Sequence, residues 1–176
     1  PGLMELYCWK GPFKLPDEKE RLNPTLTYSY QTHVAVIEID PETGKVQILK
    51  YVAVDDCGTQ LNPQVVEGQV HGAAMNGIAA SIFEECKSDD SGQLLSSTFM
   101  DYLFPTAVEI PHFQTGHLTS PSPFTTLGTK GAGEGGGTPL ITLSSAIEDA
   151  LAPFGIKITD SHTTPERIYN LIKKTK

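Results

Sequence analysis

Two strand-like runs joined by a short turn constrain the fold more than any other feature of the sequence. The runs 33–40 (HVAVIEID) and 45–54 (KVQILKYVAV) are rich in β-branched and apolar residues, which favours extended structure. Between them, Pro41 presets a bend and Gly44 is free to adopt a positive φ. The pattern predicts an antiparallel β-hairpin. Apolar residues fall on both faces of the first run, so we expect that strand to be buried.

The segment before the hairpin, residues 1–27, has no hydrophobic period and contains several prolines beside the charged run 17–21 (DEKER). It is predicted to be an extended, exposed arm. The remaining residues, 28–176, are long enough for one packed domain. With 39% hydrophobic and 19% charged residues, the chain is not expected to be disordered.

The first helix is predicted to open at Asn62 and Pro63, with Asn62 as its capping side chain and Pro63 at its first position, and to continue through the run 65–85. Its apolar residues form one broad stripe. Three glycines lie in this helix, Gly68, Gly72 and Gly77. Each costs about 1 kcal/mol relative to alanine, which indicates that another backbone or a ligand approaches the helix closely.

Further elements follow the loop after this helix. A second helix is predicted with Thr138 as its cap and Pro139 in its first turn, and a third helix begins at Pro165. Extended segments are predicted at 93–103 and 155–160. With the hairpin, these elements predict an α+β fold, in which helices pack on a mixed sheet.

Charge and composition exclude several classes of protein. The 176 residues include 13 Lys and Arg against 21 Asp and Glu, a formal net charge of −8, which disfavours a nucleic-acid partner. No window offers the roughly 20 apolar residues that a membrane span requires, and no signal-peptide pattern is visible. The three cysteines lack CxxC spacing. We therefore expect a cytoplasmic chain with reduced thiols.

Six of the 16 glycines are concentrated in the segment 128–137 (GTKGAGEGGG). Three of them, Gly131, Gly133 and Gly136, match the G-x-G-x-x-G turn of dinucleotide-binding proteins. Two observations weaken this interpretation: the preceding segment 124–127 is only marginally strand-like, and Glu134 places a carboxylate where the turn should bind an anion. A dinucleotide-binding module is therefore kept as an alternative.

The same glycines favour close backbone approach to a polar ligand, with Glu134 facing that ligand as a candidate general base. Spacing alone leaves a plainer interpretation open. In that interpretation, Glu134 caps the helix that follows or is simply exposed on a loop.

Three motifs follow one another at compatible spacing: DDCGTQLNP at 55–63, VEGQVHG at 66–72 and KGAGE at 130–134. Together they resemble the C-terminal part of the molybdenum-binding large subunit of the xanthine oxidase/aldehyde oxidase family. Within the family, the resemblance is to the branch with carbon monoxide dehydrogenase-type large chains. It extends from about residue 32 to residue 173.

The resemblance implies roles for individual residues. Glu134 matches the active-site glutamate of the family, the general base of the reaction. Gln69, preceded by Gly68, matches the glutamine that binds the pterin. The other implied cofactor-binding residues are those of the loop that lies against the pterin and the metal: Lys130, Gly131, Ala132 and Gly133. No side chain is expected to ligate the metal, because in this family the pterin dithiolene holds it.

By the same resemblance, the chain is expected to be part of an oxidoreductase that hydroxylates an aldehyde or N-heterocycle, or oxidises carbon monoxide. Its expected cofactor is molybdopterin with molybdenum, and the cytosine dinucleotide form of the pterin is left open. A [2Fe–2S] cluster and FAD are expected on other chains or domains, since neither clustered cysteines nor a flavin fingerprint occurs here.

The expected partners are the remainder of the large subunit, iron-sulfur and flavin subunits or domains, and a small-molecule substrate. Because the family's large subunit is several times longer, the chain is expected to be a fragment or a separate subunit. A catalytically silent scaffold piece remains a further alternative.

Overall fold

The computed structural model describes residues 2–8, 11–12, 14–22 and 25–175. Its strands are β1 (Tyr30–Ile39), β2 (Val46–Asp56) and β3 (Phe113–His117), and its helices are α1 (Pro63–Ile82), α2 (Thr138–Leu151) and α3 (Pro165–Lys173). Two short 3₁₀ turns flank α2, at Gly135–Gly137 and Ala152–Phe154. The sheet has the order β1-β2-β3, with β1 antiparallel and β3 parallel to β2. The predicted α+β fold with a mixed sheet is confirmed.

The predicted hairpin is confirmed, with Ile39 paired to Val46 across the turn. Gly44 adopts φ +73° and donates its N–H to the carbonyl of Asp40 at 2.8 Å. The expected burial of β1 on both faces is wrong, because Val34 and Val36 are 54% and 49% exposed. Within the described residues, the helices pack on one face of the sheet only, and β1 alternates in burial along its whole length.

The core lies between that face of the sheet and the three helices. Its most deeply buried side chains include Tyr51, Ile78, Leu143, Ile147, Ile168 and Ile172. Helix α1 meets α2 at Gly77, where a Cβ would collide with the carbonyl oxygen of Gly136 and lie 2.8 Å from the Cγ of Pro139. The glycine at this position is therefore explained by close backbone approach, as the sequence predicted.

The predicted start of α1 is confirmed: the Oδ1 of Asn62 accepts the N–H of Val65 at 3.2 Å. The helix ends at Ile82, earlier than predicted, because Phe83 leaves the helical region with φ −124° and ψ −59°. Thr138 is not the cap of α2. The 3₁₀ turn before it already has helical backbone, so Thr138 is the first residue of the helix.

Two predicted extended segments do not pair as strands. Residues 93–103 form turns with a single bridge between Ser88 and Leu94. Residues 156–160 have no regular secondary structure, and the N–H of Ile158 donates to the Glu148 carboxylate at 2.9 Å. The sequence reasoning also missed β3, a five-residue strand that contains Gly116 and lacks apolar alternation.

The described residues of the predicted arm are almost all exposed, including the side chains of Leu3, Met4 and Leu6. Six residues of the predicted arm lie outside the described residues: Pro1, Trp9, Lys10, Phe13, Asn23 and Pro24. No described helix combines the length and the apolar character needed to cross a membrane.

Candidate functional site

After β3 the chain returns to the end of β2. There, backbone hydrogen bonds hold the start of residues 128–137, called the glycine segment below. An antiparallel bridge joins Gly58 to Thr129. The N–H of Thr59 donates to the carbonyl of Gly128 at 3.1 Å, and the N–H of Lys130 donates to the carbonyl of Cys57 at 2.8 Å. Gly58 has φ +68°, and a Cβ there would collide with the Gly128 carbonyl. Only glycine allows the two backbones to approach this closely.

The other end of the segment is fixed by the 3₁₀ turn Gly135–Gly137, which continues directly into α2. Gly135 is buried, and a Cβ on it would collide with the side chain of Gln31 from β1. The Gly136 carbonyl packs against Gly77 of α1. Residues 131–134, called the glycine loop below, therefore span between two fixed points.

The glycine loop meets helix α1 at Gln69. Gly133 has φ +83°, and a Cβ on it would collide with the Oε1 of Gln69. Glu134 follows directly, and a Cβ on Gly131 would lie 2.8 Å from its Oε1. The structure thus places Gln69 against Gly133, the residue directly before Glu134, although Gln69 and Glu134 are 65 positions apart in the sequence.

Glu134 does not cap a helix. The 3₁₀ turn and α2 both begin without a side-chain cap, and the Glu134 carboxylate has no hydrogen-bond donor among the described residues. Its side chain is exposed. Of the plainer interpretations, capping is therefore wrong, whereas the other, an exposed position on a loop, agrees with the structure.

The surface beside Gln69 is unusually bare. Gly68 and Gly72 are exposed, and a Cβ on either would meet no atom of the described chain within 4 Å. These two glycines, unlike Gly77, are not explained by packing within the chain. Nearby, the backbone N–H groups of Gly131, Ala132 and Gly133 have no acceptor in the part of the chain that the structure describes.

The Lys130 side chain turns away from this face. Its Nζ donates to the Oγ of Ser120 at 2.7 Å, lies 3.3 Å from the Oδ1 of Asp56 and sits 4.9 Å from the ring centroid of Tyr30. The side chain is only 6% exposed. Lys130 therefore belongs to the glycine segment through its backbone, whereas its ammonium is engaged inside the chain.

The Asp56 carboxylate is the acceptor that the groups around the Lys130 ammonium share. It accepts the N–H of Gly58 at 2.9 Å, and both the hydroxyl and the N–H of Ser120. Burial opposes ionisation of this carboxyl, but the hydrogen bonds from Ser120, Gly58 and Lys130 outweigh burial and hold its pKa well below the ordinary value. Asp56 is therefore a buried carboxylate that stays ionised.

The neighbouring residue, Asp55, forms a second buried pair. Its Oδ1 lies 2.7 Å from the Nδ1 of His117, which is its partner in the parallel register of β2 and β3. Burial raises the pKa of Asp55, and the nearby His117 opposes that rise. This pair fixes the end of β3, from which the chain continues towards the glycine segment.

Sequence reasoning missed four of these residues. Asp56 lies inside a quoted motif but had no assigned role, and Tyr30, Gln31 and Ser120 carry no sequence signal, because only the fold brings them to the glycine segment. The dinucleotide-binding alternative also loses its structural context. Residues 124–127 form turns, so no strand leads into the glycine segment within the described structure.

Comparison with known proteins decides the family. A family model for the "Molybdopterin cofactor-binding domain" matches residues 2–111. The chain belongs to this family. The carbon monoxide dehydrogenase large chain of Hydrogenophaga pseudoflava is 38% identical over 154 residues, covering 86% of this chain and 19% of the relative. The predicted resemblance to the xanthine oxidase/aldehyde oxidase family is thereby confirmed.

Two further relatives of this molybdopterin-binding domain agree. The nicotine 6-hydroxylase large subunit of Paenarthrobacter nicotinovorans is 38% identical over 148 residues, which are 83% of this chain and 18% of the relative. The solved structure of quinoline 2-oxidoreductase from Pseudomonas putida 86 has a TM-score of 0.77 at 40% identity, and covers 81% of this chain and 18% of that one. The chain spans about a fifth of the length of these relatives.

The exposed face fits the cofactor that this domain family binds. A pterin is flat and rich in hydrogen-bonding groups, and the face offers the Gln69 amide, which both donates and accepts. It also offers the unpaired N–H groups of the glycine loop. The absence of side chains at Gly68 and Gly72 leaves room for a ligand to approach the helix backbone.

Proposed function

We propose that this chain forms one wall of a molybdopterin site and supplies Glu134 as the general base for oxidation of a small molecule. The observation that carries the proposal is the contact of Gln69 with Gly133, the residue directly before Glu134, at an exposed face that the described residues do not fill. The proposal rests on the family and on this geometry together.

In this proposal, the two sides of the face bind the pterin. Gln69, with Gly68 beside it, contacts the pterin from α1 through its amide. The backbone of Lys130, Gly131, Ala132 and Gly133 lies against it from the glycine loop. Because the loop is held at both ends, its N–H groups are oriented before the cofactor arrives, which lowers the entropic cost of binding.

The chemical role of Glu134 is proton transfer. Bound molybdenum supplies the two-electron oxidation, for which no side chain of this chain has the chemistry. The Glu134 carboxylate is exposed and free of donors in the described structure, so its oxygens are available to accept a proton. A positioned general base contributes roughly 10²–10⁴-fold to such a step.

The finer identity of the reaction follows the relatives. Their names include carbon monoxide dehydrogenase and nicotine 6-hydroxylase. We infer hydroxylation of an aldehyde or N-heterocycle, with carbon monoxide oxidation as the alternative. The pterin is inferred to carry molybdenum, either without a nucleotide or as the cytosine dinucleotide.

The surface of the chain supports further partners. Besides Val34 and Val36 on β1, the loop after α1 exposes Phe99 and Met100, at 86% and 89%. Exposed apolar side chains that lie on one face, as Val34 and Val36 do on β1, support an interface there. We infer that the remainder of a large subunit covers them, and that iron-sulfur and flavin units complete the electron path.

The binding part of the proposal is tested by metal and pterin analysis of the complete protein that contains this chain, purified with whatever accompanies it. Gln69→Leu removes the amide but keeps a similar volume, and we expect it to lower molybdenum and pterin per chain severalfold. Gln47→Leu, at an exposed position on β2, serves as the matched control. Equal cofactor content in both variants would count against the proposed role of Gln69.

The scaffold alternative makes a different prediction. If the chain only supports other parts of an enzyme, neither Gln69→Leu nor Glu134→Gln should change cofactor content or turnover. Full molybdenum retention by the chain on its own would contradict the scaffold interpretation outright.

A further inference from the structure

We propose that the buried ion pair between Lys130 and Asp56 positions the glycine loop, and that the Lys130 ammonium acts through Asp56 rather than on the cofactor. The inference deepens the proposed function and rests on it for the role of Glu134. It assigns Lys130 and Asp56 as positioning residues.

The Lys130 ammonium is engaged by neighbours within the chain. Lys130 is the last residue before the glycine loop, and its side chain is 6% exposed. Its Nζ already has Ser120 at 2.7 Å and Asp56 at 3.3 Å, with the ring of Tyr30 beside it. An ammonium has three donors, and these neighbours surround it inside the chain.

The carboxylate that accepts from this ammonium, that of Asp56, is itself held in place. Asp56 is the last residue of β2, and its carboxylate also accepts the N–H groups of Gly58 and Ser120. The Ser120 hydroxyl both accepts from Lys130 and donates to Asp56. One carboxylate therefore ties together the end of β2, the turn after it and the segment that leads to the loop.

The cluster of Lys130, Asp56 and Ser120 holds the start of the glycine loop in place. The backbone N–H of Lys130 also donates a hydrogen bond to the carbonyl of Cys57. Both the backbone and the side chain of Lys130 are therefore attached to the end of β2. Glu134 lies four positions further on, just before Gly135, which is buried. The cluster thus fixes one end of the loop, and the contact of Gly136 with Gly77 fixes the other.

Removing one member of a buried ion pair leaves the other charge uncompensated. The start of the loop would then be held by backbone hydrogen bonds alone, and the Glu134 carboxylate would sample more positions. Because a general base must come within about 3 Å of the proton it takes, the rate of the chemical step should fall while binding of the substrate changes little.

The test uses the complete enzyme with its cofactor and compares four variants. Lys130→Met and Asp56→Asn each break the pair, their double variant removes both charges, and Lys157→Met is the control. Lys157 pairs with Glu148 on the surface, at 3.0 Å, and has no role in the site. The readouts are kcat, KM, molybdenum per chain and hydrogen exchange of the peptide that covers residues 128–137.

We expect each single variant to lower kcat per bound molybdenum at least tenfold, with KM within twofold and with the same molybdenum content in both single variants. Exchange of the loop peptide should rise at least tenfold. The double variant should be no worse than the more affected single variant, because residues that act through one another are not additive. Lys157→Met should match the unaltered enzyme in every readout.

Three results would overturn the inference. In the first, Lys130→Met loses molybdenum while Asp56→Asn retains it, which would mean that the ammonium contacts the cofactor. In the second, the single losses multiply in the double variant. In the third, loop exchange is unchanged. Should a single variant fail to fold, the double variant, which leaves no uncompensated buried charge, takes its place, and unaltered loop exchange there would equally overturn the inference.

The result that would contradict the proposed function differs from the results that would contradict this inference. If Glu134→Gln turns over normally, the assignment of the base is wrong, whereas loop exchange in the Lys130 and Asp56 variants still decides whether the pair positions the loop.

Discussion

Gly133 and Gln69 touch across the gap between the glycine loop and helix α1, so closely that a Cβ on Gly133 would collide with the Oε1 of Gln69. Gly133 also has a φ of +83°, which side chains rarely tolerate. The loop and the helix are therefore fitted to each other at the point where the cofactor is proposed to bind.

This contact predicts the effect of Gly133→Ala. The left-handed backbone should cost roughly 1–2 kcal/mol, and the new methyl group must displace the Gln69 side chain. We expect molybdenum and pterin content to fall severalfold in the complete protein. The measurement is cofactor content per chain, determined on purified protein.

Gly92→Ala is the matched control for that experiment. Gly92 has φ +82° and a Cβ there would meet nothing within 4 Å, so its strain is similar but no contact is disturbed. A loss of cofactor in both variants would indicate that backbone strain alone, and not the Gln69 contact, is responsible.

The glycines of α1 should divide into two kinds. Gly77→Ala should destabilise the packing of α1 on α2 by about 1–3 kcal/mol, since the added Cβ overlaps Gly136 and Pro139. Gly72→Ala should instead stabilise the helix by about 1 kcal/mol, because its Cβ meets open space. Hydrogen exchange of α1 peptides measures both effects.

Cofactor content separates the two glycine positions further. If the bare face beside Gln69 is the pterin site, Gly72→Ala should lower molybdenum content in spite of its more stable helix. A Gly72→Ala protein with normal cofactor content would place the pterin elsewhere.

A separate prediction concerns acid sensitivity of the hairpin. Burial lowers the pKa of His33, whose Nδ1 lies 2.9 Å from the hydroxyl of the fully buried Tyr51. The unfolded chain therefore binds a proton at His33 more readily than the folded chain does. The free energy of unfolding should therefore be highest well above about pH 6.5, the pKa of His33 in the unfolded chain. It should decrease as the pH falls below that value.

Hydrogen exchange of β1 peptides between pH 7.5 and 5.5, corrected for the intrinsic rate, measures this effect. Protection should fall towards pH 5.5, and the fall should be smaller in His33→Gln. His112→Gln changes an exposed histidine and serves as the control. Equal pH dependence in His33→Gln and the unaltered chain would remove His33 as the cause.

Local signals predicted the parts of the fold that depend on neighbouring residues. The turn at Pro41 and Gly44 and the cap at Asn62 are each determined by a few residues, and the structure confirms them. The short strand β3 was missed because its pairing with β2 is parallel and joins positions about 60 residues apart, such as Tyr51 and Phe113. No periodic pattern in five residues can indicate such a partner.

The candidate site shows the same division. Gln69 and Glu134 were found through motifs, and the structure places Gln69 against Gly133, the residue before Glu134. The surroundings of Lys130 could not be found, because Asp56 and Ser120 reach it only through the returning chain after β3. The family resemblance implies that Lys130 contacts the cofactor, whereas its burial beside a carboxylate is a property of the fold.

The account depends most on Glu134, and kinetics of Glu134→Gln in the assembled enzyme test it most directly. Gln keeps the size of the side chain but cannot accept the proton, so turnover should fall by roughly 10²–10⁴-fold with molybdenum and pterin content intact. Glu42→Gln, in the exposed hairpin turn, should leave both unchanged. Turnover of Glu134→Gln close to that of the unaltered enzyme, at full cofactor content, would contradict the account.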